Sequence, residues 1–154
     1  NLAPRQHARL LKPKKTSFEQ VYRAVSEYKI KYPAKAVIYS SDSWDAYAWA
    51  VLMAGGSLPA IPAETDKNFL ATVATTKPAK GIGTYVLSND KNIIAYADST
   101  TVISLDLTEV KGSFKVKYLS NKDGKLLQET TTVEGGRQVK ITLPARANII
   151  WLSK

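Results

Sequence analysis

The sequence predicts two unlike parts: an α/β segment over residues 1–80, then an all-β antiparallel sandwich over residues 81–154. Two observations predict the first part. Apolar residues recur at helical spacing near Thr16–Ile30 and Trp44–Ala54, and one short apolar run, Ala36–Ser40, lies between them. The third observation is a change of texture. From residue 84 the chain becomes a series of short, β-branched and aromatic runs separated by turn signals.

Residues 1–15 contain Pro4 and Pro13 and read as a loop with one helical turn near Gln6–Leu11. Thr16-Ser17-Phe18-Glu19 has the form of a capping box, with Thr16 and Glu19 satisfying free backbone N–H groups. Phe18, Val21, Tyr22, Val25 and Tyr28 then recur with the helical period, and Pro33 ends the helix. The continuous apolar run Ala36–Ser40 suits a strand buried on both faces. Ser41-Asp42-Ser43 can cap the apolar helix Trp44–Ala54, and Gly55-Gly56 stops it. Pro59 and Pro62 keep the following connection extended. A short helix is expected over Asp66–Ala74, with Thr65 or Asp66 as its cap.

Seven strands are expected next: Tyr85–Leu87, Ile93–Ala97, Val102–Leu107, Phe114–Leu119, Leu126–Val133, Val139–Leu143 and Ile149–Leu152. Phe114, Val116 and Tyr118 alternate with Lys115 and Lys117, the pattern of a half-buried strand. Asn89-Asp90, Asp98-Ser99, Lys111-Gly112, Asn121–Gly124 and Gly135-Gly136 supply the turns. No long helical pattern remains to cover such a sheet. One strand in residues 1–80 cannot make a parallel sheet, so that segment is expected to need partner structure and to expose apolar surface on residues 1–60.

Composition excludes several chemistries. The 154 residues include no Cys, which removes disulfides, thiol catalysis and Cys-based metal sites. The one His, His7, rules out a two-His metal site, and no metal or cofactor is expected. The longest apolar run, Ala46–Ala54, is too short to span a membrane. The net charge of +9 divides unevenly: +7 over residues 1–40, −2 over 41–90 and +4 over 91–154. Lys12-Pro13-Lys14-Lys15 is the densest basic cluster. It lacks the interleaved aromatics of a single-strand binder, so no nucleic-acid partner is expected. Flat binding between low and high salt would reject a nucleic-acid role.

Three stretches carry a family resemblance. Phe18–Val25, Lys35–Asp42 and Trp49–Ser57, with Tyr47–Pro62 the most similar part, resemble the end of the catalytic barrel of bacterial, polysaccharide-degrading glycoside hydrolases. The tail from Tyr85 onward, notably Ile93–Tyr96 and Ile149–Leu152, resembles the small C-terminal β-sandwich of those enzymes. The resemblance implies that residues 1–80 are the last units of a (β/α)8 barrel and that residues 81–154 are an accessory sandwich. It also implies a secreted or periplasmic bacterial protein, with a signal peptide outside this chain. Its partners would be the N-terminal part of the barrel and a polysaccharide or oligosaccharide.

The catalytic carboxylate pair of such an enzyme would lie upstream, so no catalytic residue is assigned here. Substrate-binding candidates are Trp44, Asp42, Ser41 and Asp45, just past the C-terminal end of the expected strand, where barrel sites are built. Trp44 can stack on a sugar ring or pack against the barrel. Asp42 can instead cap the helix and Asp45 complement its dipole. Ser40 and Ser41 suit hydroxyl recognition or a turn. Trp49 and Trp151 read as core. The competing function is a stand-alone carbohydrate- or protein-binding module without catalysis.

Overall fold

The computed structural model describes residues 16–41 and 46–154. Ser17, in an extended conformation, caps the first helix, and its hydroxyl accepts from the Gln20 N–H at 3.3 Å. The cap is thus one residue later than Thr16, and Ser17 with Gln20 takes the place expected of Thr16 with Glu19. Helix α1 runs Phe18–Lys31 and buries Phe18, Val21 and Val25. Helix α2 is Ala48–Met53, buried throughout. It ends in a Schellman motif. Gly55, at φ 73°, donates to Leu52 O, and Gly56 donates to Val51 O. Helix α3, Lys67–Val73, is capped by Asp66, whose carboxylate accepts from Phe69 N–H at 2.8 Å.

Eight strands follow: β1 (Lys77–Pro78), β2 (Val86–Ser88), β3 (Asn92–Tyr96), β4 (Val102–Asp106), β5 (Ser113–Leu119), β6 (Leu126–Glu134), β7 (Gln138–Thr142) and β8 (Ile149–Ser153). All their pairings are antiparallel. Six form one sheet in the order β1-β2-β3-β8-β5-β6, and β4 pairs with β7 in a second sheet. Strands β2 to β8 lie within a residue or two of the runs expected from the sequence.

The layers correct the predicted fold class. No barrel-like α/β unit occurs among the described residues. Ala36–Ser40 joins neither sheet. Its Val37 carbonyl accepts from Ser57 N–H at 2.7 Å, Val37 and Tyr39 are half-buried, and Ala36, Ile38 and Ser40 are exposed. This alternation is the opposite of a strand buried on both faces.

Nor is the β part a bare sandwich. One face of the six-stranded sheet, with Ile93, Ala95, Phe114, Val116, Ile150 and Leu152, packs with Ile103 and Leu105 of β4 and Val139 and Ile141 of β7. The opposite face, with Leu87, Ile94, Tyr96, Ile149 and Trp151, packs with Phe18, Val21 and Val25 of α1, the whole apolar side of α2, and Phe69 of α3. The result is three layers: helices, a six-stranded sheet and a two-stranded sheet. Strands β3 and β8 are apolar on both sides, so each side needs a cover, and the helices supply the second. The expected boundary at residues 80/81 falls between β1 and β2, neighbouring strands of one sheet.

One corner locks the connection before α3 onto the sheet. Thr65 is buried and donates to Pro62 O at 2.6 Å. Asp66 N–H donates to the Gly124 carbonyl at 3.0 Å. Gly124 has φ 68°, and a Cβ there would lie 2.7 Å from Thr65 Cα. The Lys125–Glu64 ion pair at the same corner is exposed and adds little. Gly124→Ala should therefore cost roughly 2–3 kcal/mol, from the left-handed backbone and the collision together. Urea unfolding measures this, and a loss below about 0.5 kcal/mol would show that the corner yields freely.

Candidate functional site

Because Ser17 and Gln20 make the cap, Glu19 is released from it and lines a cleft at the first turn of α1. The cleft holds about 410 Å³ and is lined by Glu19, Tyr85, Tyr96, Asp98, Thr100 and Ser104, among others. Strand β3 and the turn that follows it position Tyr96 and Asp98, and Tyr85 lies immediately before β2.

An aromatic stack forms the wall. The Phe18 ring lies parallel to Tyr96, with centroids 4.5 Å apart, and meets Tyr85 edge-on at 4.9 Å. Tyr22 meets Tyr85 edge-on at 4.8 Å. Behind this wall, Tyr96 Oη accepts from Asn121 Nδ2 at 2.9 Å, and the Asn121 carbonyl accepts from Trp49 Nε1 at 2.8 Å. Phe18 and Tyr96 are buried, and the Tyr96 hydroxyl is satisfied.

Two acids, Glu19 and Asp98, line the cleft. Burial, and then the charge of Glu19, holds the Asp98 carboxyl above the usual carboxylate range. Burial, followed by Glu19, Asp98 and Tyr22, raises the Tyr85 phenol. Burial likewise raises Tyr96, with the Asn121 hydrogen bond opposing it. Two carboxylates among hydroxyls and a phenol can accept hydrogen bonds from a polyol. No group of three or more metal-ligating side chains occurs among the described residues.

A second feature is apolar. Tyr28, Ile30 and Tyr32 at the end of α1, then Ile38 and Leu58, are large and exposed. Leu58 is 80% exposed and Ile30 69%. Tyr28 and Tyr32 stack at 6.2 Å and line a hollow with Lys35, Val37 and Ile38. The Ser57–Val37 hydrogen bond holds the chain segments of Leu58 and Ile38 together. Leu58 has φ 51°, a left-handed conformation that costs an ordinary residue about 1–2 kcal/mol.

Residues 1–76 match a family model described as a domain of unknown function (DUF6298). The match spans just under half of the chain, covers the helical layer and stops one residue before β1. No curated protein and no solved structure matches the chain.

Of the residues expected to bind substrate, Ser41 is exposed beside the unpaired segment, and Asp42, Trp44 and Asp45 lie outside the described residues, as does His7. Trp49 and Trp151 are buried, as expected of core. No helix among the described residues is long and apolar enough to cross a membrane. The cleft has no local signature, since in the sequence Glu19 reads as a cap residue and Asp98 as a turn residue. The signal available for Glu19 was Ser17-Phe18-Glu19-Gln20, a second capping-box pattern in a frame shifted by one residue.

The raised Asp98 pKa has a definite sign. The folded state holds this proton more tightly than the unfolded chain does. The stability it contributes is fully present below the ordinary Asp pKa and is lost as pH rises through the raised value. Asp98→Asn should therefore modestly raise the melting temperature at neutral pH and leave it unchanged in acid below the ordinary Asp range. Glu19→Gln should give a smaller rise of the same sign. Thermal scans across pH check this, and a neutral-pH loss in Asp98→Asn would show that the carboxylate holds a stabilising contact.

Proposed function

We infer that this chain is the C-terminal, non-catalytic portion of an exported bacterial glycoside hydrolase, and that its role is to dock against and support the catalytic portion. The observation that carries the docking role is the set of large apolar side chains left exposed, Tyr28, Ile30, Tyr32, Ile38 and Leu58, of which Tyr28, Tyr32 and Ile38 line one hollow. A free surface gains nothing from a leucine held at positive φ with its side chain in water. A surface covered by another part of the protein gains both burial and a fixed contact. Ile38 lies on a segment whose side chains alternate in and out yet which joins no sheet. The hydrolase assignment itself rests on the resemblance of Phe18–Val25, Lys35–Asp42 and Trp49–Ser57. Polysaccharide is then the substrate of the whole enzyme, and its hydrolytic carboxylates lie in the catalytic portion.

A second reading, a stand-alone sugar-binding module, is favoured by one observation: the Glu19–Asp98 cleft with its hydroxyl lining. That reading predicts glycan binding by the isolated chain, lost in the Glu19→Gln, Asp98→Asn double variant.

The leading reading is tested on the coding sequence upstream of Asn1. It predicts a catalytic segment with two Asp or Glu at strand ends, which forms a one-to-one complex with this chain when the two are co-expressed. The double variant Ile38→Asp, Leu58→Asp should weaken that complex at least tenfold while leaving the circular dichroism of the chain unchanged. Hydrolysis by the chain alone, or an upstream segment that ignores it, would contradict the reading.

A further inference from the structure

The six-stranded sheet treats its two edges differently. One edge is β1, two residues long and containing Pro78, which has no N–H to offer. That edge is blunted in the way natural sheets protect themselves. The other edge is β6, the longest strand at nine residues, Leu126–Glu134. It contains no Pro and no Lys, and its residues are exposed or half-buried throughout. Its ladder partner is β5 alone, and outside the ladders no backbone hydrogen bond among the described residues involves residues 126–134. Among the described residues, one row of its N–H and C=O groups is therefore open.

We propose that β6 pairs with β6 of a second copy of this chain, antiparallel about a two-fold axis through Thr130, joining two six-stranded sheets into one. The sequence of the strand selects both the occupant and the register. An isologous contact requires the strand to complement itself. Thr130 is the midpoint of Leu126–Glu134, so this axis pairs all nine residues. It sets Leu127 of each copy opposite Val133 of the other. Both side chains are half-buried and already sit at the rim of the lower core, so the pairing extends that core across the junction twice. It sets Gln128 opposite Thr132, Glu129 opposite Thr131, and Thr130 opposite itself. No two glutamates stand directly opposed, and Glu129 meets its own copy only on the diagonal. The irregularity in β5–β6 pairing between Lys117 and Leu119 leaves the alternation intact, since Leu126 still faces Leu119. The contact lies on the strand farthest from β1 in the sheet order, and it is independent of the exposed apolar residues Ile38 and Leu58.

The absence of Cys makes the test direct, because one introduced thiol is the only one present. Directly opposed residues of antiparallel strands have Cα atoms about 4.5–5.5 Å apart, within disulfide range. In the full chain, Thr130→Cys should cross-link to a covalent dimer under mild oxidation. Thr132→Cys, whose copies would lie about 13 Å apart in this register, should stay monomeric. Light scattering should give twice the mass of one chain for the unaltered protein. Thr130→Lys, which opposes two ammonium groups on an exposed edge, should return a folded monomer by circular dichroism. The Ile38→Asp, Leu58→Asp variant should remain dimeric, which separates this contact from the docking face. A unaltered chain that stays monomeric to millimolar concentration overturns the proposal. So does equal cross-linking at Thr130→Cys and Thr132→Cys, or a dimer that survives Thr130→Lys.

Discussion

The structure depends on a sheet that must be covered twice. Strands β3 and β8 carry apolar side chains on both faces, and a sheet of this kind is stable only between two layers. The β4–β7 pair covers one face. The other is closed by aromatic contacts: Phe18 on Tyr96, Trp49 beside Tyr96 and Phe69, and Phe69 edge-on to Trp151 at 6.0 Å. Each such pair adds about 0.5–1.5 kcal/mol beyond its buried area, and truncating one member to Ala costs about 3–5 kcal/mol. The polar ends of these rings are paired as well, Trp151 Nε1 donating to Asn92 Oδ1 at 2.9 Å. A helical layer held this way is part of the fold's core.

Covering the sheet uses the inner side of each helix and, among the described residues, leaves large apolar side chains at the end of α1 exposed. The tightest packing faces Tyr96 and Trp151. Tyr28, Ile30 and Tyr32 point elsewhere, and Ile38 and Leu58 extend the same exposed apolar character beyond α1. The cleft at Glu19 arises from the same arrangement. Phe18 is drawn into the core against Tyr96, and its neighbour Glu19 lines the same cleft as Asp98. One set of contacts thus produces both the cleft and the exposed apolar end of α1.

Local signals were legible and long-range cover was not. Strands β2 to β8 could be read from β-branched runs and turn residues, and the stop of α2 from Gly55-Gly56, because these depend on the residues themselves. The cap of α1 sits one residue beyond the expected Thr16, because two overlapping capping patterns, at Thr16 and Ser17, compete. Ala36–Ser40 differs from the expected buried strand because a short apolar run looks the same whether it is a buried strand or a half-buried connection. The strand order β3-β8-β5 joins segments far apart in sequence, so the continuous face it creates has no local signature. The unbroken runs Ile93–Tyr96 and Ile149–Trp151 did carry the missing information, because a half-covered sheet alternates and these do not. Of the candidate site, the hydroxyls and carboxylates were visible as residues, and their convergence on one cleft was not.

Hydrogen exchange followed by mass spectrometry tests the central claim, that the helical layer and the six-stranded sheet form one core. The amides of α2, residues 48–53, and those of β3 and β8 should exchange with the same opening free energy, and should lose protection together as denaturant is added. Exchange of α1 and α2 at free energies far below those of β3 and β8, with the strands still protected, would show that the sheet stands without its helical cover and would contradict the account.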